Sequence, residues 1–165
     1  MWYSERRSVL AGLALLGVTA ACGFSPAYAP GGAGSVLRNQ ILANAPGDKL
    51  GYFFVERIED RLGRNDSAPY QLNYTLALSV DGLAITPDES TLRYHLNGTM
   101  DYQVIERTSG KEMTRGTVRN FVAFSAIGTT IATRASEDDA ERRLMVMLAD
   151  QIVTRLMATS KTWLP

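Results

Sequence analysis

Two long runs of strictly alternating residues constrain this chain more than any other feature. In the first, Leu72, Tyr74, Leu76, Leu78 and Val80 alternate with Gln71, Asn73, Thr75, Ala77 and Ser79. In the second, Leu92, Tyr94, Leu96, Gly98, Met100, Tyr102 and Val104 alternate with Arg93, His95, Asn97, Thr99, Asp101 and Gln103. A period of two places every large apolar side chain on one face of an extended strand. Such strands have a dry face and a wet face, and the dry one must be covered. Asn97-Gly98 would ordinarily mark a hairpin. A two-residue turn there would set Leu96 opposite Thr99, Tyr94 opposite Asp101 and Leu92 opposite Gln103, mixing polar and apolar groups on both faces. A continuous strand keeps the apolar residues in phase, and phase fixes register when one face is buried. The spacing therefore predicts one long strand, with Gly98 as a bend or bulge.

The turn falls instead at Thr108-Ser109-Gly110, a three-residue loop with glycine at its left-handed position. Pairing Arg107 with Lys111 sets Val104 opposite Thr114, Tyr102 opposite Gly116, Met100 opposite Val118 and Leu96 opposite Val122. On the other face Gln103 meets Arg115, Asp101 meets Thr117 and Thr99 meets Arg119, which makes both arginines diagonal neighbours of Asp101.

Two amphipathic segments are available to cover the dry face. Asp48 is a suitable N-cap for a helix running to Gly63, with Phe54, Val55, Ile58 and Leu62 on one stripe and Glu56, Arg57, Glu59, Asp60 and Arg61 facing water. Residues 125–135 are small and hydroxyl-rich and read as a loop. Ser136 then caps a second helix to about Ala158, whose inner stripe is Ala140, Leu144, Leu148, Ile152 and Leu156, widened by Met145, Met147 and Ala149. Glu137, Asp138, Asp139 and Glu141 complement the positive end of that helix. A weaker apolar pattern from Val36 to Ala43 reads as a first strand. The expected fold is α+β, a two-layer sandwich with a mostly antiparallel sheet of three to four strands and two helices on one face.

Little in the chain suggests catalysis. There is no G-x-S-x-G elbow, P-loop or H-E-x-x-H. The single histidine, His95, lies mid-strand on the wet face and reads as a solvated side chain, although a triad built from residues distant in sequence remains an alternative. Consecutive acids in one helical turn point in different directions, so Glu137 to Asp139 do not form a metal cluster. No catalytic residue, metal site or cofactor is expected. What remains is the wet face itself, carrying Arg93, His95, Asn97, Thr99, Asp101, Gln103, Arg115, Thr117 and Arg119. Guanidiniums spread over a sheet suit phosphates or carboxylates, so Arg93, Arg115 and Arg119 are candidate anion-binding residues. The competing reading is a solvated face partly neutralised by Asp101.

At the other end of the chain, Arg6 and Arg7 precede an uncharged apolar run from Val9 to Ala21 that ends in Thr19-Ala20-Ala21-Cys22. A positive start, a short apolar stretch and small residues form a secretory signal. Cys22 is the only cysteine, so no internal disulfide explains it, whereas lipidation does. The stretch resembles a bacterial lipobox, with Thr19 where an aliphatic residue is usual. The alternatives are an ordinary signal with a free thiol after the cut and, because of the Arg pair, either a general or a twin-arginine export route. The domain plan is a signal peptide over 1–21, a lipidated Cys22 with a Gly/Pro-rich tether over 22–34, one domain over 35–158 and a tail over 159–165. Phe24 and Tyr28 are apolar enough for part of the tether to dock. Loss of Arg6, Arg7 and Glu5 leaves the mature part at a formal charge of minus one, which offers nucleic acid no general attraction.

Cys22-Gly23-Phe24-Ser25-Pro26-Ala27-Tyr28 resembles the Cys-Gly-Phe-x-Pro-Leu-Tyr start of LptE-type LPS-assembly lipoproteins, with Ala27 in place of Leu. The order of elements is similar as well. The resemblance implies an outer-membrane lipoprotein that plugs and helps assemble a large LptD-type β-barrel and assists insertion of lipopolysaccharide into the outer leaflet. It implies lipopolysaccharide and the barrel as partners, attachment to the membrane through the lipid, no enzymatic activity and no nucleic acid. Gly23 after the cysteine suits release from the inner membrane. A rival of another class is an auxiliary lipoprotein of an envelope ABC-type lipid transporter; a secreted hydrolase is a third. Mass spectrometry of the mature N-terminus should find a diacylglyceryl group on Cys22, and an unmodified Cys22 or a cut elsewhere would remove the anchor.

Overall fold

The computed structural model describes residues 28–85, 91–126 and 129–164, so the signal region and Cys22 lie outside the described residues. The alternating runs become β2 (Tyr70–Ile85) and β3 (Thr91–Glu106), paired antiparallel along their length. β4 (Glu112–Ser125) pairs antiparallel with β3, and β1 (Ile41–Ala43) runs parallel to the start of β2. Strand order is β1-β2-β3-β4.

Asn97-Gly98 lies within β3, and the β3–β4 register is the one that phase requires: Leu96 faces Val122, Met100 faces Val118 and Asp101 faces Thr117. Gly98 is not a bulge, since pairing runs through it unbroken on both sides. The register shifts fall at Gly82 to Ile85 and at Val104/Ile105. Its smallness serves packing instead, because a Cβ there would lie 3.0 Å from both Leu144 Cδ2 and Leu148 Cδ1. A helix thus approaches the sheet more closely than a side chain would allow. The turn takes Gly110 at φ 71°. It closes one residue earlier than the simple pairing of Arg107 with Lys111: Glu106 accepts from Gly110 N and donates to Lys111 O, while Arg107 N–H donates to Pro69 O.

The first long helix behaves as its pattern demands. After a short helix α1 (Ala33–Leu37), α2 spans Lys49–Leu62. Asp48 accepts from Gly51 N at 2.6 Å, and Phe54, Val55, Ile58 and Leu62 are buried. The expected strand from Val36 to Ala43 is only partly realised. Val36 and Leu37 end α1, the chain reverses at Asn39 with φ 60°, and just three residues pair with β2.

α3 (Thr130–Trp163) departs further from the expected bounds. Its cap is Thr129, whose Oγ1 accepts from Ala132 N, so most of the presumed loop is helical. Thr129 and Ser136 are both competent caps, and the upstream one prevails because the residues between them contain neither Gly nor Pro to stop a helix. Glu137 to Glu141 consequently lie beyond the first turn, and the dipole role expected for them does not apply. Asp138 and Glu141 instead clasp Lys49 Nζ at 2.6 and 2.9 Å, tying α2 to α3, and Asp139 pairs with Arg143. Those two carboxylates raise the pKa of the Lys49 ammonium above its usual value. At the other end the helix passes Ala158 to Trp163, which buries its ring edge-on to Tyr70, 5.7 Å between centroids. Thr159, Ser160 and Thr162 donate their hydroxyls to carbonyls one turn back, an arrangement these residues adopt inside a helix rather than as caps that end it.

Ala140, Leu144, Met145, Leu148, Ala149, Ile152 and Leu156 are all fully buried, while Met147, expected to widen the stripe, points outward. α3 lies over β3 and β4, and α2 packs beside it near β1. The helical layer does not reach the far half of β2, so Leu78 and Val80 keep their inward phase yet stay 38% and 51% exposed. Because Gly98 admits α3, Gly98→Val should lower stability by about 1–3 kcal/mol through overpacking against Leu144 and Leu148, measured by denaturant titration.

Candidate anion-binding face

The register of β2, β3 and β4 decides which side chains share the uncovered face of the sheet. Odd-numbered residues of β3 from Arg93 to Gln103 project there, opposite Arg115, Thr117 and Arg119 of β4. The face is polar and open, and a shallow depression of about 410 Å³ is lined by Asn73, Thr75, Asp101, Gln103, Arg115 and Thr117 among others.

Arg93, Arg115 and Arg119 are all exposed, but they do not converge. Arg115 and Arg119 are four residues apart on one strand, about 13 Å, and Arg93 lies six residues along β3 from the partner of Arg119, about 20 Å. They form a line along the sheet rather than a pocket. Arg115 turns to Glu112, Nε to Oε1 at 2.6 Å, and Gln103 donates to the same carboxylate. Asp101 accepts from the Thr117 hydroxyl and is not gripped by two guanidiniums as the diagonal pairing suggested. Among the described residues, Arg93 and Arg119 enter no ion pair. A line of separated cations suits an extended ligand carrying several anionic groups more than one small anion.

His95 packs its ring against Phe121, 4.9 Å between centroids, on this same outer face. Phe121 is 55% exposed, and its outward position was implicit in the register, since Val122 faces Leu96 and its neighbour must face Asn97. The helical layer holds a second polar cluster that sequence reasoning missed. Arg57 and Arg61, expected to face water, both reach across to Asp150 of α3; Arg57 makes two bonds of 3.0 Å. Hydrogen bonding to Asp150 raises the pKa of Arg57 further. Arg61 Nε also donates to the Tyr28 hydroxyl at 3.0 Å, so the tether docks on the domain at this point. Only three-dimensional packing brings Asp150 to these arginines, and no local pattern announces it. Among the described residues no three His, Cys, Asp or Glu side chains gather as a metal site, and no helix is long and apolar enough to cross a membrane.

A family model described as LptE, lipopolysaccharide-assembly, matches residues 35–156. Several solved structures share the fold. A candidate lipoprotein of Caulobacter crescentus is 21% identical with a TM-score of 0.63, over 76% of this chain and 93% of its own. Rare lipoprotein B of Shewanella oneidensis is 16% identical with a TM-score of 0.56, over 74% and 95%. Lipoprotein B of Nitrosomonas europaea is 11% identical with a TM-score of 0.57, over 75% and 85%. No curated protein matches the chain.

The docked tether rests on Asp150, so Asp150→Asn should weaken its bonds to two partly buried guanidiniums. The expected loss is about 1–2 kcal/mol of stability. Limited proteolysis should at the same time cut faster near Tyr28.

Proposed function

The chain belongs to the LptE family of lipopolysaccharide-assembly lipoproteins, which are not enzymes, and from that premise we propose that it acts as the plug of an LptD-type outer-membrane β-barrel. The observation that carries the reading is that the family match coincides with the α+β domain just described, from α1 to the last turns of α3. Cys22 is the lipidation site that attaches the protein to the outer membrane, with the domain on the periplasmic side or inside the barrel. Dimensions support a plug. A helix of 34 residues is about 51 Å long, longer than the roughly 30 Å hydrocarbon core that a barrel must cross. A slab with a stiff helical layer and a polar outer face suits a water-filled lumen, where barrel interiors are polar.

Within that role the outer face of the sheet meets the anionic groups of lipopolysaccharide through Arg93, Arg115 and Arg119. Their spacing along the strands fits a ligand with several separated phosphates and carboxylates. The family match favours this reading over an accessory lipoprotein of an ABC-type lipid transporter. Co-purification separates the two: a large β-barrel partner in detergent-solubilised outer membrane supports the plug, and an inner-membrane ATPase complex supports the transporter.

Replacing Arg93, Arg115 and Arg119 together by Ser should weaken lipopolysaccharide binding while leaving the melting temperature nearly unchanged. Charge-assisted contacts contribute about 1.5–3 kcal/mol each where water is excluded and much less on an open face. Unchanged binding by the triple variant at matched ionic strength would return this face to a solvated sheet.

A further inference from the structure

The two edges of the sheet are treated differently. β4 carries Glu112, Arg115 and Arg119, and Arg155 of α3 donates to its Thr117 carbonyl at 2.7 Å. Charged side chains and an occupied carbonyl discourage another strand from pairing there. β2 has no such protection between Tyr70 and Val80, ahead of Asp81 and of the register shifts at Gly82 to Ile85. From Tyr70 to Ile85 it contains no Lys, Arg, Glu or Pro, and Asp81 is its one charged residue. β1 covers only Tyr70, Gln71 and Leu72.

Main-chain geometry shows what the rest of that edge offers. Tyr70 donates its N–H to Gln40 O, and the Leu72 carbonyl accepts from Asn44 N. In a strand the N–H and C=O of one residue point the same way and alternate along the chain, so Tyr74, Leu76, Leu78 and Val80 turn theirs toward the edge beyond β1, which no strand among the described residues covers. The side chains of those residues belong to the dry face, where Leu78 and Val80 are left uncovered by the helices. An open ladder beside exposed apolar groups is the arrangement to which an extended strand adds.

We propose that, in the barrel-free protein, a second copy of this chain pairs antiparallel with β2 about a two-fold axis at Leu78. The edge is self-complementary. In that register Leu78 meets Leu78 of the partner subunit, Leu76 meets Val80 of the partner subunit, and Ala77 meets Ser79 of the partner subunit. Apolar groups meet on the inner face and small groups on the outer, and no like charges oppose each other because Asp81 lies opposite Thr75 of the partner subunit. Two-fold pairing is the commonest closed symmetry. The contact is small, so the dimer is weak and depends on concentration. The proposal goes beyond the plug reading and does not rest on it: capture by a barrel would simply compete with it.

Sedimentation velocity of the purified mature protein should show a dimer fraction that rises with concentration. Leu78→Pro removes an edge N–H and should abolish the dimer, whereas Leu78→Ala keeps the N–H and should retain it in reduced amount. On a Cys22→Ser background, Leu78→Cys should form an intermolecular disulfide under mild oxidation much faster than Ala123→Cys, which is exposed on β4. A wild-type protein monomeric at every concentration, dimerisation of a folded Leu78→Pro variant equal to wild type, or equal disulfide rates at the two positions would each overturn the proposal. If Leu78→Pro does not fold, the disulfide comparison decides.

Discussion

The approach of α3 to the sheet at Gly98 is the contact on which the rest of the structure depends. Three long strands with one dry face cannot stand in water, and a two-layer fold must supply the missing side. α3 supplies most of it, laying Leu144 and Leu148 over Gly98 and continuing the same stripe to Leu156. Each fully buried Leu or Ile contributes about 1.5–3 kcal/mol relative to exposure, and these residues lie in one uninterrupted row. α2 then has a flank to pack on, and Asp150 and the Lys49 clasp fix its position. With both helices on the dry side, the other face of the sheet is free.

That division explains which parts were legible in the sequence. The long β3 strand, the register to β4 and the membership of the wet face followed from phase, because a one-residue slip would have turned every apolar side chain outward. Helix ends were less legible. Thr129 and Ser136 offer competing caps, and Thr159, Ser160 and Thr162 look like a stop until their hydroxyls are seen bonding to the preceding turn. Gly98 was placed in the right strand for an incomplete reason, since its smallness answers to a helix distant in sequence. Arg57, Arg61 and Asp150 form a cluster that no periodicity can reveal. Burial also faded where alternation did not: Leu78 and Val80 keep the pattern of a core face beyond the end of the helical cover.

The arginines of the wet face illustrate how far a strand pattern reaches toward function. Register fixed that Arg93, Arg115 and Arg119 share a face, but not that Glu112 would draw Arg115 aside or that Thr117 would satisfy Asp101. An exposed ion pair such as Arg115 with Glu112 is worth at most about 1 kcal/mol, so an anionic ligand that excludes water can displace it. Separation then matters more than any single pair. Cations about 13 and 20 Å apart cannot chelate one phosphate, but they can hold the orientation of a large amphiphile with charges at several points.

The Tyr28 contact places a mechanical limit on the anchored protein. Tyr28 lies six positions after Cys22, and a fully extended chain over six steps spans no more than about 21 Å. Because Arg61 holds the Tyr28 hydroxyl, the chain is already fixed to the domain there, before the start of α1. Under the proposed lipidation, the backbone of Tyr28 therefore stays within about that distance of the membrane surface, with Arg61 and then Asp150 beyond its side chain. The sheet extends from this region toward the β2–β3 connection, since α2 runs from the level of Tyr74 back to its end beside Asn39. A domain about 50 Å long that is held near one end can place its far end well away from the bilayer that anchors it, and its orientation is then left to its partners rather than to the tether.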